Sequence, residues 1–310
     1  MQDSRRTFLR YMLGAGGMLA FSSLSANDWF AKKEVIKLTI LHTNDVHSRL
    51  EPFPMNDPKF PGMGGAARRA ALINSIRNTE PNVLLLDAGD IFQGTPYFNV
   101  YKGEPEIKLM SQMGYDAATI GNHDFDAGAD GLAAQLVHAN FPLLNCNYDF
   151  KGSPLDGKTQ PHKIFNKGGL RIGVFGVGIE LKGLVPKNLY GEIVYNDAVE
   201  KANATARYLK ADQKCDLVIC LSHLGYSYTG SQVSDLVLAA QSQHINLIIG
   251  GHTHTFLEHP TRVKNKEGAE VLVNQVGWAG LRLGRIDYFV SPGTNKHVAE
   301  GHALKIFKSQ

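Results

Sequence analysis

Short apolar runs of strand length recur along the chain, and most are followed by a polar or glycine-rich turn and then by a helical stretch. This pattern predicts strands at residues 35–41, 83–88, 117–120, 171–177, 217–221 and 245–249, and helices near residues 64–79, 105–113, 129–139, 197–211 and 231–243. Three further strands, at residues 271–275, 281–290 and 297–307, have no helices between them. Alternating strands and helices favour mostly parallel sheets that are buried on both faces, with antiparallel strands added at the end. Since no linker divides residues 27–310, we expect a single α/β sandwich domain there.

The composition is that of an ordinary globular protein, because hydrophobic residues make up 43% and charged residues 20% of the 310 positions. The net charge of +3 is small and Lys and Arg do not cluster, so we expect no nucleic-acid polymer as a partner. The adjacent Arg68 and Arg69 are expected to form a solvated helix face. Three cysteines, Cys146, Cys215 and Cys220, cannot complete a disulfide framework, and we expect them to be small buried residues.

The first 26 residues have the layout of an export signal. Arg5 and Arg6 precede an uncharged stretch, residues 11–26, that is rich in Gly, Ala, Leu and Met and ends in small residues. The paired arginines resemble the twin-arginine signal, which implies the Tat export machinery as a partner and a periplasmic location for the mature chain. Because the stretch is shorter than the ~20 apolar residues of a spanning helix, we expect cleavage and no stable membrane anchor.

Metal-ligating residue types follow five of the predicted strands. In chain order they are Asp45 and His47, Asp90, the run Asn122, His123, Asp124 and Asp126, then His223, and finally His252 and His254. Functional residues of open α/β sheets gather beyond the carboxyl ends of the strands, so we expect these side chains to converge. Asp, Asn and His are ligands suited to Zn, Mn or Fe. Seven candidate ligands are too many for one tetrahedral ion, but they suit two divalent ions ~3.5–4 Å apart that share a carboxylate.

Taken together and in order, these blocks resemble the calcineurin-like metallophosphoesterase family. Residues 121–128, Gly-Asn-His-Asp-Phe-Asp-Ala-Gly, look like the signature of its 5′-nucleotidase, UDP-sugar hydrolase and 2′,3′-cyclic phosphodiesterase branch, and residues 41–47 and 283–286 are similar to that branch as well. The resemblance implies a four-layer αββα sandwich with mixed sheets. It also implies two metal sites and a catalytic dyad. One metal would be held by Asp45, His47 and His254, the other by Asn122, His223 and His252, and Asp90 would bridge them. The dyad would consist of His123 and Asp126.

The function implied by the resemblance is hydrolysis of a nucleotide phosphoester by a metal-bridging hydroxide, with the metal identity open between Zn, Mn and Fe. Bacterial nucleotidases of this branch also have a C-terminal substrate-binding domain, and we expect residues 27–310 to be the catalytic domain without it. Three alternatives stay open. The chain could be the catalytic subunit of a split nucleotidase whose substrate-binding domain is a separate chain, a sulfate-ester or thiol-sulfate hydrolase, or a metal-binding module without catalysis.

Overall fold

Two mixed β-sheets form the centre of the molecule in the computed structural model, which describes residues 35–294 and 296–307. The first sheet has the strand order β13-β12-β1-β2-β3, and the second has the order β10-β11-β9-β8-β6-β5. The strands of the first sheet are β1 (Ile36–Thr43), β2 (Val83–Asp87), β3 (Ala117–Ala118), β12 (Arg282–Val290) and β13 (His297–Lys305). Those of the second are β5 (His162–Lys167), β6 (Leu170–Gly178), β8 (Leu217–His223), β9 (Leu247–Gly250), β10 (Thr261–Lys264) and β11 (Glu270–Asn274). A separate short pair consists of β4 (Tyr148–Asp149) and β7 (Val194–Tyr195).

Each sheet combines parallel strands with antiparallel ones. Strands β1, β2 and β3 run in parallel, as do β6, β8, β9 and β11, whereas β5, β10, β12 and β13 pair antiparallel to their neighbours. The helices are α1 (Ala66–Thr79), α2 (Pro96–Tyr101), α3 (Glu104–Met113), α4 (Gly128–Gln135), α5 (Lys187–Tyr190), α6 (Ala198–Arg207) and α7 (Asp235–Gln241). The prediction of an α/β fold with mixed sheets is confirmed.

Three apolar cores hold the layers together. The side chains of β1 alternate between two of them, because Leu38 and Ile40 face the second sheet whereas Leu41 faces the helices. The core between the sheets also contains Ile219 from β8 and Ile249 from β9. One outer core joins the first sheet to α1, α3 and α4, and the other joins the second sheet to α6 and α7. The layer order is therefore αββα, as expected.

The elements that the sequence did not predict are short or polar. Strands β5 and β10 lie at the two edges of the second sheet, where half-exposed polar residues replace the apolar run of a central strand. The helix expected over residues 197–211 is α-helical only to Arg207 and then widens into a π turn, Tyr208–Asp212. The helix expected from residue 231 begins at Asp235 instead, because the hydroxyl of Ser234 accepts the N–H of Val237 and caps it.

The expectation that Arg68 and Arg69 form a solvated helix face is wrong for Arg69. Its side chain is 2% exposed and lies among buried residues that include Glu106 and Tyr115, around a cavity of about 10 Å³. Its positive charge also acts on the buried carboxylate of Asp87. The positive charge of Arg69 partly offsets the effect of burial on Asp87, which a pattern of polar positions along a helix does not reveal.

The predicted leader, residues 1–26, lies outside the described residues. Among the helices of the described part, none has the length and apolar character needed to cross a membrane.

Candidate metal centre

Every side chain that the sequence predicts for the site lies in a loop at the end of a strand, and these loops meet in one region. Asp45 and His47 follow β1, Asp90 follows β2, Asn122, His123 and Asp126 follow β3, His223 ends β8, and His252 and His254 follow β9. Among the described residues, two groups each bring three potential ligand atoms within 4.8 Å of one another. The first group is Asp45, His47 and His254, and the second is Asp90, His223 and His252.

In the first group, two histidine nitrogens and a carboxylate oxygen converge. His47 Nε2 lies 3.0 Å from His254 Nε2, which in turn lies 3.5 Å from Asp45 Oδ1. The other nitrogen of His47 faces the carbonyl oxygen of Phe92 at 3.1 Å. Because that nitrogen then carries the proton, the lone pair of His47 Nε2 points at the other two ligands.

In the second group, a backbone contact fixes the ring of His223 in the same way. Its Nδ1 lies 2.7 Å from the carbonyl oxygen of Ala88, and its Nε2 lies 3.1 Å from Asp90 Oδ2. Asn122 joins this group, since its Oδ1 is 2.8 Å from His252 Nδ1. Asp90 Oδ2 is also 3.8 Å from His47 Nε2, so this carboxylate lies between the two groups.

The chemistry of these atoms fits a pair of cations. His223 Nε2 is buried and, although close to Asp90, has no hydrogen-bond partner aligned with it among the described residues. In both groups, atoms that bear lone pairs face one another with few donors between them. Such an arrangement is unfavourable unless positive charge lies among the acceptors. The donor set contains only nitrogen and oxygen, which are the ligands of zinc, manganese and iron in sites of this kind.

The pKa values in the second ligand group also indicate a site that favours positive charge. Burial raises the pKa of Asp90, but the charges of His223, His47 and His123 outweigh burial and hold the pKa well below its usual range. Burial lowers the pKa of His223, but the charge of Asp90 prevails and raises it to about 10. Burial and the neighbouring His223 lower the pKa of His252 to about 4, so its ring is neutral and able to bind a metal at physiological pH.

The backbone around the site is held in an unusual conformation. Residues with positive φ include five of the seven predicted ligands: Asp45, His47, Asp90, His252 and His254, with φ between 50° and 74°. Left-handed backbone is costly for residues with a side chain and concentrates at functional sites. Gly121 permits the close approach of two of the loops, because a Cβ there would lie 2.1 Å from Asp90 Oδ1.

His123 and Asp126 form a hydrogen-bonded pair beside the two groups. His123 Nδ1 lies 2.9 Å from Asp126 Oδ2, and the His123 ring is 5.3 Å from that of His47 between centroids. The hydrogen bond with Asp126 outweighs burial and raises the pKa of His123. The side chain of His123 is 40% exposed, so solvent reaches part of it.

Sequence reasoning missed the contribution of Asp124 to the site. Its buried carboxylate accepts four backbone N–H groups: those of Gly121 and Asp90 on Oδ2 and those of Ile91 and Phe92 on Oδ1, at 2.7–3.1 Å. It therefore ties the loop after β2 to the loop after β3 and fixes Asp90. In the sequence, Asp124 is marked only by its position in the same run as Asn122. That position does not show whether its carboxylate binds a metal or holds the loops together.

Comparison with known proteins places this geometry in a family. Residues 38–256 match the family described as calcineurin-like phosphoesterase. The chain belongs to that family. This makes it a metal-dependent phosphoester hydrolase, the enzyme class that the sequence predicted.

Several relatives are named as 5′-nucleotidases. A snake venom 5′-nucleotidase of Gloydius brevicauda is 34% identical over 321 residues, which cover 97% of this chain and 52% of that protein. The 5′-nucleotidase of Bos taurus is 35% identical over 88% of this chain and 50% of its own length. The crystal structure of a 5′-nucleotidase precursor from Thermus thermophilus superposes with a TM-score of 0.77 and 33% identity, covering 87% of this chain and 55% of that one. The chain thus spans about half the length of these relatives.

Proposed function

We propose that this protein is an exported, dinuclear metal-dependent phosphohydrolase that removes phosphate from nucleoside 5′-phosphates. The observation that carries the proposal is the pair of three-residue ligand groups with Asp90 between them and the His123–Asp126 pair beside them. The 5′-nucleotidase relatives supply the substrate class. Asp45, His47 and His254 hold one ion, and Asn122, His223 and His252 hold the other. Bound there, two divalent ions supply Lewis-acid charge to the phosphoryl oxygens and lower the pKa of bound water.

The remaining chemistry is assigned to the dyad. Asp126 engages His123 at Nδ1, so the proton that His123 can give away is on Nε2. The hydrogen bond with Asp126 raises the pKa of His123, which favours the protonated ring. His123 donates the Nε2 proton to the leaving oxygen as the bond to phosphorus breaks, so that the nucleoside departs as an alcohol rather than as an alkoxide. Asp126 holds the ring in the orientation that this transfer requires.

A substrate panel with the metal-loaded protein tests the proposal. The protein is reconstituted with Mn²⁺ or Zn²⁺ and assayed for hydrolysis of AMP, UDP-glucose, a 2′,3′-cyclic nucleotide and bis-p-nitrophenyl phosphate, with the products of each reaction identified. We expect AMP to have the highest kcat/KM, and EDTA to abolish the activity. Turnover of the diester with none of AMP would refute the nucleotidase assignment, and retention of full activity without bound metal would refute the metal-dependent mechanism.

Export rests on the leader, in which Arg5 and Arg6 precede an uncharged stretch. We expect the mature protein in the periplasmic fraction with an N-terminus near residue 27, and replacement of both arginines by lysine should retain it in the cytoplasm. An N-terminal sequence of the exported protein that still contains Arg5 and Arg6 would contradict cleavage.

A further inference from the structure

One predicted ligand of the first group lacks the backbone hydrogen bond that orients two of the other histidines. The Nδ1 atoms of His47 and His223 face backbone carbonyl oxygens. The polar contacts of His254 are at Nε2, toward His47 and Asp45, and no described residue hydrogen-bonds its Nδ1. Its side chain is 40% exposed, and its backbone has a φ of 52°. An exposed imidazole of this kind would lose rotamer freedom on binding a metal, at a cost in affinity.

The ring of His254 instead packs against the indole of Trp278. Its ring lies nearly parallel to that of His254, with an interplanar angle of 11° and 5.7 Å between centroids, which is an offset stack. Trp278 is itself held edge-on by Phe53 at 6.0 Å and by Phe60 at 6.4 Å. The backbone next to it is also fixed to the site, because the N–H of Ala279 donates to the carbonyl oxygen of Asp45 at 2.7 Å.

We propose that Trp278 is a positioning residue that holds His254 by ring stacking and thereby sets the affinity of the first metal site. It does for His254 what a hydrogen bond to a backbone carbonyl oxygen does for His47 and His223. The inference rests on the proposed ligand role of His254 and adds a residue outside the ligand set. Residues that orient metal ligands typically contribute 10–100-fold to metal affinity, and a stack of this kind belongs at the lower end of that range.

Metal binding measured without substrate tests this directly. Wild-type protein, Trp278→Leu and Trp278→Tyr are titrated with Co²⁺, and bound metal is counted by elemental analysis after dialysis. We expect two equivalents in the wild type and a Kd about 10-fold weaker for one of them in the Leu variant. The Tyr variant keeps an aromatic face and should lie closer to wild type. Two equivalents bound by Trp278→Leu with wild-type affinity would overturn the proposal.

A matched control separates stacking from general loosening of the aromatic cluster. Phe60→Leu removes an edge-on neighbour of Trp278 and leaves the stack on His254 in place, so both metal affinities should stay within about twofold of wild type. If Phe60→Leu weakens one equivalent as much as Trp278→Leu, the effect comes from packing and the positioning role is wrong. If the wild type binds no metal, the proposed function fails, which is distinct from failure of this inference.

Fluorescence provides a readout that does not depend on the stability of a Trp278 variant. The chain has two tryptophans, Trp29 and Trp278, so Trp29→Phe leaves Trp278 as the sole emitter. The ring of His254, a proposed ligand of the first site, lies 5.7 Å from this indole between centroids, so Co²⁺ held by His254 should quench the emission as the site fills. Emission that is unchanged after two equivalents have bound would contradict the stacking of Trp278 on a metal ligand.

Discussion

Replacing Asp124 with Asn should destabilise the protein by about 2–6 kcal/mol, although the two side chains have nearly the same shape. The carboxylate of Asp124 accepts two backbone N–H groups on each oxygen. An Asn side chain offers a single acceptor oxygen, so two of the four buried N–H groups would face an NH₂ group and lose their partner. Each unsatisfied buried donor costs about 1–3 kcal/mol, which gives the stated range.

The assay is urea unfolding of the metal-free protein at pH 8. Burial raises the pKa of Asp124 to about 7, and the charge of Asp90 adds to this effect, so the carboxylate is ionised at the pH of the measurement. Asp130→Asn is the matched control, because Asp130 lies exposed in the first turn of α4 and should cost less than ~1 kcal/mol. A midpoint for Asp124→Asn equal to that of the control would refute the reasoning that this carboxylate holds the two loops together.

Three other expectations follow from the site and the core. His123→Ala should retain metal and lower kcat for AMP by ~10²–10⁴-fold. The loss should be smaller for p-nitrophenyl phosphate, because its leaving group needs less protonation. His302→Ala, which replaces an exposed histidine of β13, is the control. Asp126→Asn should move the alkaline limb of the kcat/KM profile to lower pH, since the hydrogen bond with Asp126 raises the pKa of His123, and an unmoved limb would contradict that pairing. Asp90→Ala should lose metal from both sites, measured by elemental analysis, and retention of two ions would remove Asp90 from its bridging role.

A fourth expectation concerns His42, a fully buried residue outside the metal centre whose Nε2 accepts a hydrogen bond from Asn274 at 2.8 Å. Burial lowers the pKa of His42 to about 3, below its ordinary 6.5, so the unfolded chain binds a proton that the folded chain does not. Its contribution to stability is therefore complete above pH ~6.5 and is lost as the pH falls toward 3, by up to ~1.4 kcal/mol per pH unit. His42→Gln keeps an acceptor for Asn274 and should flatten this slope in urea titrations between pH 4 and 7. A slope equal to that of the wild type would show that other groups cause the acid lability.

Much of the fold could be predicted from the sequence, because buried parallel strands are nearly uninterrupted apolar runs. The central strands β1, β2, β6 and β8 lie within two residues of the predicted ends. The residue types after these strands also indicated the site, since carboxylates and histidines at several equivalent strand ends are rarely placed there by turn preferences alone.

Only the tertiary structure decided which side chains support these residues. Edge strands such as β10 are defined by pairing with a neighbour, and the burial of Arg69 depends on acids that come from distant segments. Asp124 and Trp278 act on loops and rings that are far away in the sequence, and their contacts form only when several loops meet. A local sequence pattern records what one segment buries, whereas the orientation of a side chain depends on groups from other segments. The sequence by itself therefore indicated the candidate ligands, and only the tertiary structure showed which groups contact them.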